Sequence, residues 1–427
     1  MREGAPVGAR VKPRLGMARE WAVAASAAAP SRRFTRGLAR IIVLLAVVAV
    51  AVVVRSLRAT ARATAVSHAR AADASRRDAD IAFYAERVAA DSIGAADRGR
   101  LAALYLQRAR EMGDFEDYRR AEALARRSLA LRVAHNAGTY TSLASALLAQ
   151  HRFAEALRVA RDLNARDPGV PGHQALLAEI ELELGRYDAA RALFDSLWPA
   201  RHELSVAPRL ARWAEISGRT DLARRLLDAA LARGKARPDL PPEQLAWFHL
   251  RVGDLALRHG RFAEAEYAFR AGLTVFPSDY CLLAAQARLA AARGHWRDAI
   301  AYGDAAIATV PDPATFGVVS DAYAALGDSA HAAEYARAME VAVLGQPGAW
   351  HRAWSLFLLD HNRRVPEVLA HVTRELETRR DIYGYDLLAW ALHQSGRDGA
   401  ARAAMARALA LGTDDPLLLR HAAAIGR

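Results

Sequence analysis

The sequence predicts an all-α solenoid of about nine helix–turn–helix units. Three observations carry that prediction. A turn signal, usually centred on Gly, recurs about every 34 residues between Gly113 and Gly396. Ala, Leu and Arg dominate, and β-branched strand-like runs are nearly absent after residue 55. The 427 residues exceed one ordinary core, whereas a repeat array escapes that limit because each unit packs on its neighbours.

Residues 1–37 are rich in Arg, Ala, Gly and Pro and read as a disordered basic tail. Residues 1–70 hold 13 Arg/Lys against Glu3 and Glu20, so nearly all of the +12 net charge sits around one hydrophobic stretch. That placement suits membrane flanks better than a nucleic-acid-binding face. The stretch is Ile41–Val54, in which 11 of 14 residues are Ile, Leu or Val. Extended to 38–57 it reaches about 30 Å as a helix, with Arg40 and Arg55 snorkelling at its ends. An uncleaved transmembrane signal-anchor is expected. A cleaved signal peptide competes, but its small-residue sites at Ala61–Ala65 lie behind Arg55 and Arg58. Nine Arg/Lys precede residue 41, which favours a cytoplasmic N-terminus and an extracytoplasmic (periplasmic) repeat domain. Residues 58–97 read as a helical linker and cap, patterned by Ile81, Phe83, Tyr84 and Val88 and broken at Ile93-Gly94. The array fills 98–427.

The cleanest unit runs from Ala246 to Asp279. Two amphipathic patterns meet at Gly260-Arg261-Phe262, and Pro277 stops the second. Gly253, Ala265 and Gly272 allow close helix approach, and Leu250, Tyr267, Phe269 and Leu273 supply bulk. The turn recurs at Gly113, His151, Gly185, Gly218, Gly294, Gly327, His361 and Gly396. A small residue follows by five at Ala190, Ala223, Ala265, Ala299, Ala332 and Ala401. A stop Pro follows at Pro168, Pro277 and Pro311, and three residues late at Pro416. Three extra residues in Glu116–Arg119 are expected to lengthen the first turn. About eight more, with Pro238, Pro241 and Pro242, make a stiff loop at 235–242. The unit at His361 lacks the Gly and carries Pro366 in its second helix's first turn.

This pattern closely resembles the tetratricopeptide repeat (TPR), over about residues 98–420. The resemblance implies a right-handed superhelix and a scaffold that gathers protein partners, as in assembly of a membrane or envelope complex. The segment Arg380–Leu392 further resembles a stretch near the end of bacterial TPR proteins without a defined activity.

No Gly-x-Ser-x-Gly, phosphate-cradling Gly loop or His-Glu-x-x-His occurs, so neither catalysis nor a cofactor is expected. Cys281, the only cysteine, excludes an internal disulfide and reads as a small buried hydrophobe. His351, His361, His371, His393 and His421 crowd the last 80 residues, but their spacing does not share one helix face, and scattered surface histidines are expected. The first helix of each unit lines the concave groove, which places Gln107, Arg110, Glu179, Glu183, Arg212, Arg251, Asp254, Arg258, Arg288 and Asp321 there as candidate partner contacts. Trp350, Trp354, Phe357, Tyr383, Tyr385 and Trp390 form a C-terminal aromatic cluster, mostly core, with Tyr383, Tyr385 and Trp390 as a candidate hot spot. Two alternatives stay open: a small-ligand or metal-delivery accessory for a transporter, and a nucleic-acid-binding helical repeat, which the near-neutral array disfavours.

Overall fold

The computed structural model describes residues 74–345 and 352–426, and all regular structure among them is helical. Helix α1 (residues 74–90) is followed by nine helix pairs. The first three are α2 (Ala95–Met112) with α3 (Phe115–Leu131), α4 (Ala137–Ala149) with α5 (Phe153–Arg166), and α6 (Pro171–Glu183) with α7 (Tyr187–Ser196). The next three are α8 (Ala207–Ile216) with α9 (Thr220–Lys235), α10 (Pro242–Arg258) with α11 (Phe262–Val275), and α12 (Tyr280–Ala292) with α13 (Trp296–Ile307). The last three are α14 (Pro313–Ala325) with α15 (Ser329–Leu344), α16 (Arg352–Asp360) with α17 (Val365–Glu375), and α18 (Ile382–Gln394) with α19 (Asp398–Ala408). Helix α20 (Pro416–Ile425) ends the array. The expected tail 1–37 and hydrophobic helix 38–57, with Trp350 and His351, lie outside the described residues. Among the described residues no helix is long and apolar enough to cross a membrane.

Local chemistry sets the boundaries. Asp114, Asp279, Asp312, Asp328, Asp381 and Asp415 each accept a backbone N–H at a helix start. The turn glycines Gly113, Gly185, Gly218, Gly260, Gly294, Gly327 and Gly396 all have positive φ, a conformation that costs other residues about 1–2 kcal/mol. His151 (φ 58°) and Asn362 (φ 50°) take that conformation in the two units without the glycine.

Packing follows the repeat. Ala190, Ala223, Ala265, Ala299 and Ala401 are wholly buried, and Ala332 is half-buried. A Cβ on Gly253 would overlap the Phe269 ring, and one on Gly272 would press on Leu282, so both glycines mark close helix contacts. First helices also stack on first helices, as in α10 on α12, α12 on α14 and α14 on α16. Across the insertion α10 packs instead on α9. Helix α1 covers the first unit, with Ile81 on Leu101 and Leu104 and an Arg77–Glu111 ion pair.

Three expectations are corrected. Tyr267 is 75% exposed, because the buried stripe of α11 runs through Ala265, Ala268, Phe269 and Gly272. The first turn is not lengthened: α3 starts at Phe115, straight after Gly113-Asp114, and the extra residues make a 17-residue helix. Pro416 does not stop a helix but opens α20 behind the Asp415 cap, where a missing N–H costs nothing.

Candidate functional site: the inner wall of the coil

Several candidate groove residues pair between successive units. Glu179 on α6 meets Arg209 on α8 at 2.7 Å, and Asp254 on α10 meets Arg288 on α12 at 2.9 Å. Asp321 on α14 meets His361 at 2.8 Å, with burial raising the Asp321 carboxyl pKa. Gln107 donates to Glu111 within α2. Arg110 reaches across the coil to Glu243 at 3.7 Å, from the first unit to the fifth.

That last contact belongs to a larger pattern, in which the coil returns on itself. The Arg380 N–H donates to the Leu184 carbonyl at 3.1 Å, and the Ile382 N–H to the Tyr187 hydroxyl at 2.7 Å. Arg379 donates to the Glu183 carbonyl at 2.9 Å, and its guanidinium lies 3.2 Å from the Glu183 carboxylate and 2.6 Å from Asp381. The Thr220 hydroxyl donates to Asp414 at 2.8 Å. Residues about 195 apart in sequence thus form a polar seam between the third and fourth units and the ninth. The apolar core is continuous there too, since one cluster holds Phe194, Trp213 and Leu226 together with Ile382, Leu392 and Leu418.

Glu215 is the hub of the inner wall. Its carboxylate lies 3.0 Å from Arg212, 2.5 Å from Arg258 and 3.9 Å from Arg251. Burial alone would raise its pKa, but Arg212, Arg258 and Arg251 outweigh that and bring it to about 2. Burial, with repulsion from Arg258 and Arg212, depresses the Arg251 pKa. Three guanidiniums thus converge on one carboxylate, while Glu179 and Glu183 face the same wall. The hub links α8 to α10 across the insertion. Beside it lies a cleft of about 320 Å³ lined by Glu179, Arg209, Arg212, Arg251 and the 42%-exposed Trp247. Glu215 and Trp247 were not among the residues singled out in sequence. The signal was present: Glu215 is three residues after Arg212, and Trp247 four before Arg251, so each pair shares a helix face.

The aromatic candidates are each engaged within the chain. The guanidiniums of Arg212 and Arg352 lie over the Tyr383 ring, 5.1 and 4.8 Å from its centroid. Tyr385 lies under Arg407. Trp390 stacks on His421 at 4.4 Å and donates its indole N–H to Asp360. The histidines are dispersed onto different carboxylates: His371 on Glu375, His393 on Asp398, and the buried His421 on Asp386. Among the described residues no group of His, Cys, Asp and Glu is arranged to hold a metal ion. Burial, then Asp279, push the Cys281 thiol up to about 12, which keeps it protonated.

Residues 147–207, from the end of α4 to the start of α8, match the family model described as Tetratricopeptide repeat. This match and the helix pairs together give the chain a tetratricopeptide-repeat fold. No enzyme family is indicated for it. Solved structures similar to it include the APC/C hetero-tetramer Cut9–Hcn1, at 15% identity and a TM-score of 0.47, covering 78% of this chain and 56% of that one. PilW, a type IV pilus biogenesis factor, is 20% identical with a TM-score of 0.41, covering 52% of this chain and 99% of its own. Pseudomonas aeruginosa pilF is 16% identical with a TM-score of 0.39, covering 52% and 97%. No curated protein matches the sequence.

Proposed function

We propose that this TPR protein is a membrane-anchored scaffold that holds a protein partner on its inner wall, in assembly of a membrane or envelope complex. TPR folds generally bind protein partners. The observation that supports this wall as the contact is the cleft between α6, α8 and α10, where the exposed Trp247 ring stands among Glu179, Arg209 and Arg251. A half-exposed aromatic ringed by paired charges is the composition of an interface anchor: the ring gives affinity, and the charges fix register. The partner segment that fits presents an apolar side chain to Trp247 and carries both signs of charge. The anchor is the 38–57 segment, with the repeats on the extracytoplasmic side.

Crosslinking in native membranes, followed by identification of co-purified proteins, tests the proposal. The expected result is a specific partner whose recovery falls about tenfold with Trp247→Ala. If the full chain enriches nothing over an anchor lacking residues 95–427, the scaffold reading is wrong.

A further inference from the structure

A second cavity, of about 1000 Å³, opens where the coil closes, between α10, α12, α16, α18 and α20. Five arginines line it: Arg212, Arg258, Arg288, Arg352 and Arg420. The acids on the same wall are Asp254 and Asp415, and both are committed. Asp254 pairs with Arg288, and Asp415 caps α20 through the Leu417 N–H. At the rim Asp414 accepts from Thr220. Behind the wall Glu215 is shared among Arg212, Arg251 and Arg258, and Asp386 serves both Arg352 and His421. On the wall itself five arginines face two carboxylates; with the acids at the rim and behind the wall, and with Arg251, six guanidiniums meet five carboxylates.

Two of these guanidiniums also keep an unpartnered donor behind the wall. The Nε–H groups of Arg258 and Arg352 are shielded from solvent and donate to nothing among the described residues. A buried donor left unmade costs about 1–3 kcal/mol, more for a charged group. Arg420 lies on the exposed side of α20, with no carboxylate among the described residues within ion-pairing distance. Guanidiniums thus line the cavity from four helices that are distant in sequence, α10, α12, α16 and α20.

We propose that this cavity binds a small molecule carrying a phosphate group, held by Arg258, Arg288, Arg352 and Arg420. A phosphate offers several strong acceptors and up to two charges, which suits guanidinium forks arriving from different sides. A lone carboxylate has one charge and two oxygens. The volume exceeds that of an isolated phosphate and matches sites for small organic ligands. Leu257, Ala292 and Leu417 on the wall supply apolar surface for the organic part. The seam contacts Thr220–Asp414 and Arg380–Leu184 hold the two turns of the coil together, so a folded partner does not fit between them. This site does not depend on the scaffold reading, and its occupancy is measured without any protein partner.

Calorimetric titration of the purified full-length protein tests the site, with orthophosphate, pyrophosphate and ATP as probes and a hexaglutamate peptide as the carboxylate comparator. The expected result is saturable binding of a phosphate probe with a dissociation constant below about 1 mM, weakened as salt is raised. ATP binding more tightly than pyrophosphate identifies an organic phosphoester as the ligand; the reverse order identifies an inorganic one. Arg420→Gln is expected to weaken binding about tenfold at an unchanged melting temperature, because Arg420 has no structural partner to lose. Arg258→Gln removes a donor and also disturbs Glu215, so Arg420→Gln is the deciding variant. Three results would overturn the proposal: no binding of any phosphate probe, wild-type affinity in Arg420→Gln, or tighter binding of hexaglutamate than of every phosphate probe.

Discussion

Gly185 and Gly294 hold the same place in the repeat and the same backbone conformation, with φ of +72° in each. Their surroundings differ. A Cβ on Gly294 would meet open space, as it would on Gly260, Gly327 and Gly396. A Cβ on Gly185 would overlap the Arg380 backbone, one on Gly218 the Gly412 carbonyl, and one on Gly113 the Val310 side chain. One local requirement, a left-handed residue between two helices, is thus used twice. In the open turns it only reverses the chain. In the seam turns it also lets two coils of the solenoid touch. A repeat array normally owes its stability to nearest neighbours. The seam adds a long-range tie, so the units facing it should unfold less independently than the open ones.

Gly185→Ala should be the largest single break. It adds the left-handed strain of about 1–2 kcal/mol to the loss of the Arg380–Leu184 and Ile382–Tyr187 hydrogen bonds, for a total above about 3 kcal/mol. Hydrogen exchange would then rise together in residues 183–190 and 379–387. Protection unchanged in 379–387 would mean that the seam does not hold in solution. Arg379→Ala tests the same tie without touching the turn. It strips the cation from Glu183, Glu375 and Asp381, of which Glu183 and Asp381 already have pKa values raised by burial. The expected cost is about 2–3 kcal/mol, read as a lower denaturation midpoint and smaller than that of Gly185→Ala.

How much of this was legible in sequence follows from which contacts are local. The nine units were readable because turn glycines, buried alanines and helix caps each act within one repeat. Ala265, Gly272 and Phe269 sit where the 34-residue register puts them. The seam was not readable, because Leu184 and Arg380 meet through backbone groups, which carry no residue code, at a separation of 196. Tyr383 illustrates the difference. Its ring was visible in sequence as one of an aromatic cluster and a candidate hot spot, but its partners Arg212 and Arg352 lie in other units and become neighbours only once the coil closes. For Glu215 the local pairing with Arg212 was visible, but Arg251 and Arg258 reach it only from the far side of the insertion.

Acid should separate the two regions by the order in which they loosen. His249 on α10 is 2% exposed, and burial, assisted by Lys235, lowers its pKa to about 4. Its folded value lies below its unfolded one, so the stability it permits is full above about pH 6.5 and is lost as pH falls toward 4. At pH 5 the loss is about 2 kcal/mol. Glu215 has the same sign in a lower window, from about 4.5 down to about 2. Glu183 and Asp381 run the other way: their raised folded values favour the seam as pH falls. Between pH 7 and pH 5, therefore, the unit of α10 and α11 should lose exchange protection while residues 379–387 keep theirs. His249→Leu should flatten the pH dependence in that range. Simultaneous loss in both regions would show that the unit and the seam unfold as one.

The smallest effect sharpens the comparison most, because it isolates the turn from the seam. Gly294→Ala meets no neighbour, so its cost is the left-handed strain alone, about 1 kcal/mol, offset in part by the lower entropy of the unfolded chain. His151 and Asn362 already carry that strain in two native units. The difference between the Gly185→Ala and Gly294→Ala midpoints then measures the seam itself, because the backbone term is common to both and cancels. Equal midpoints would assign the whole cost of Gly185→Ala to the turn and leave the array a chain of independent neighbours.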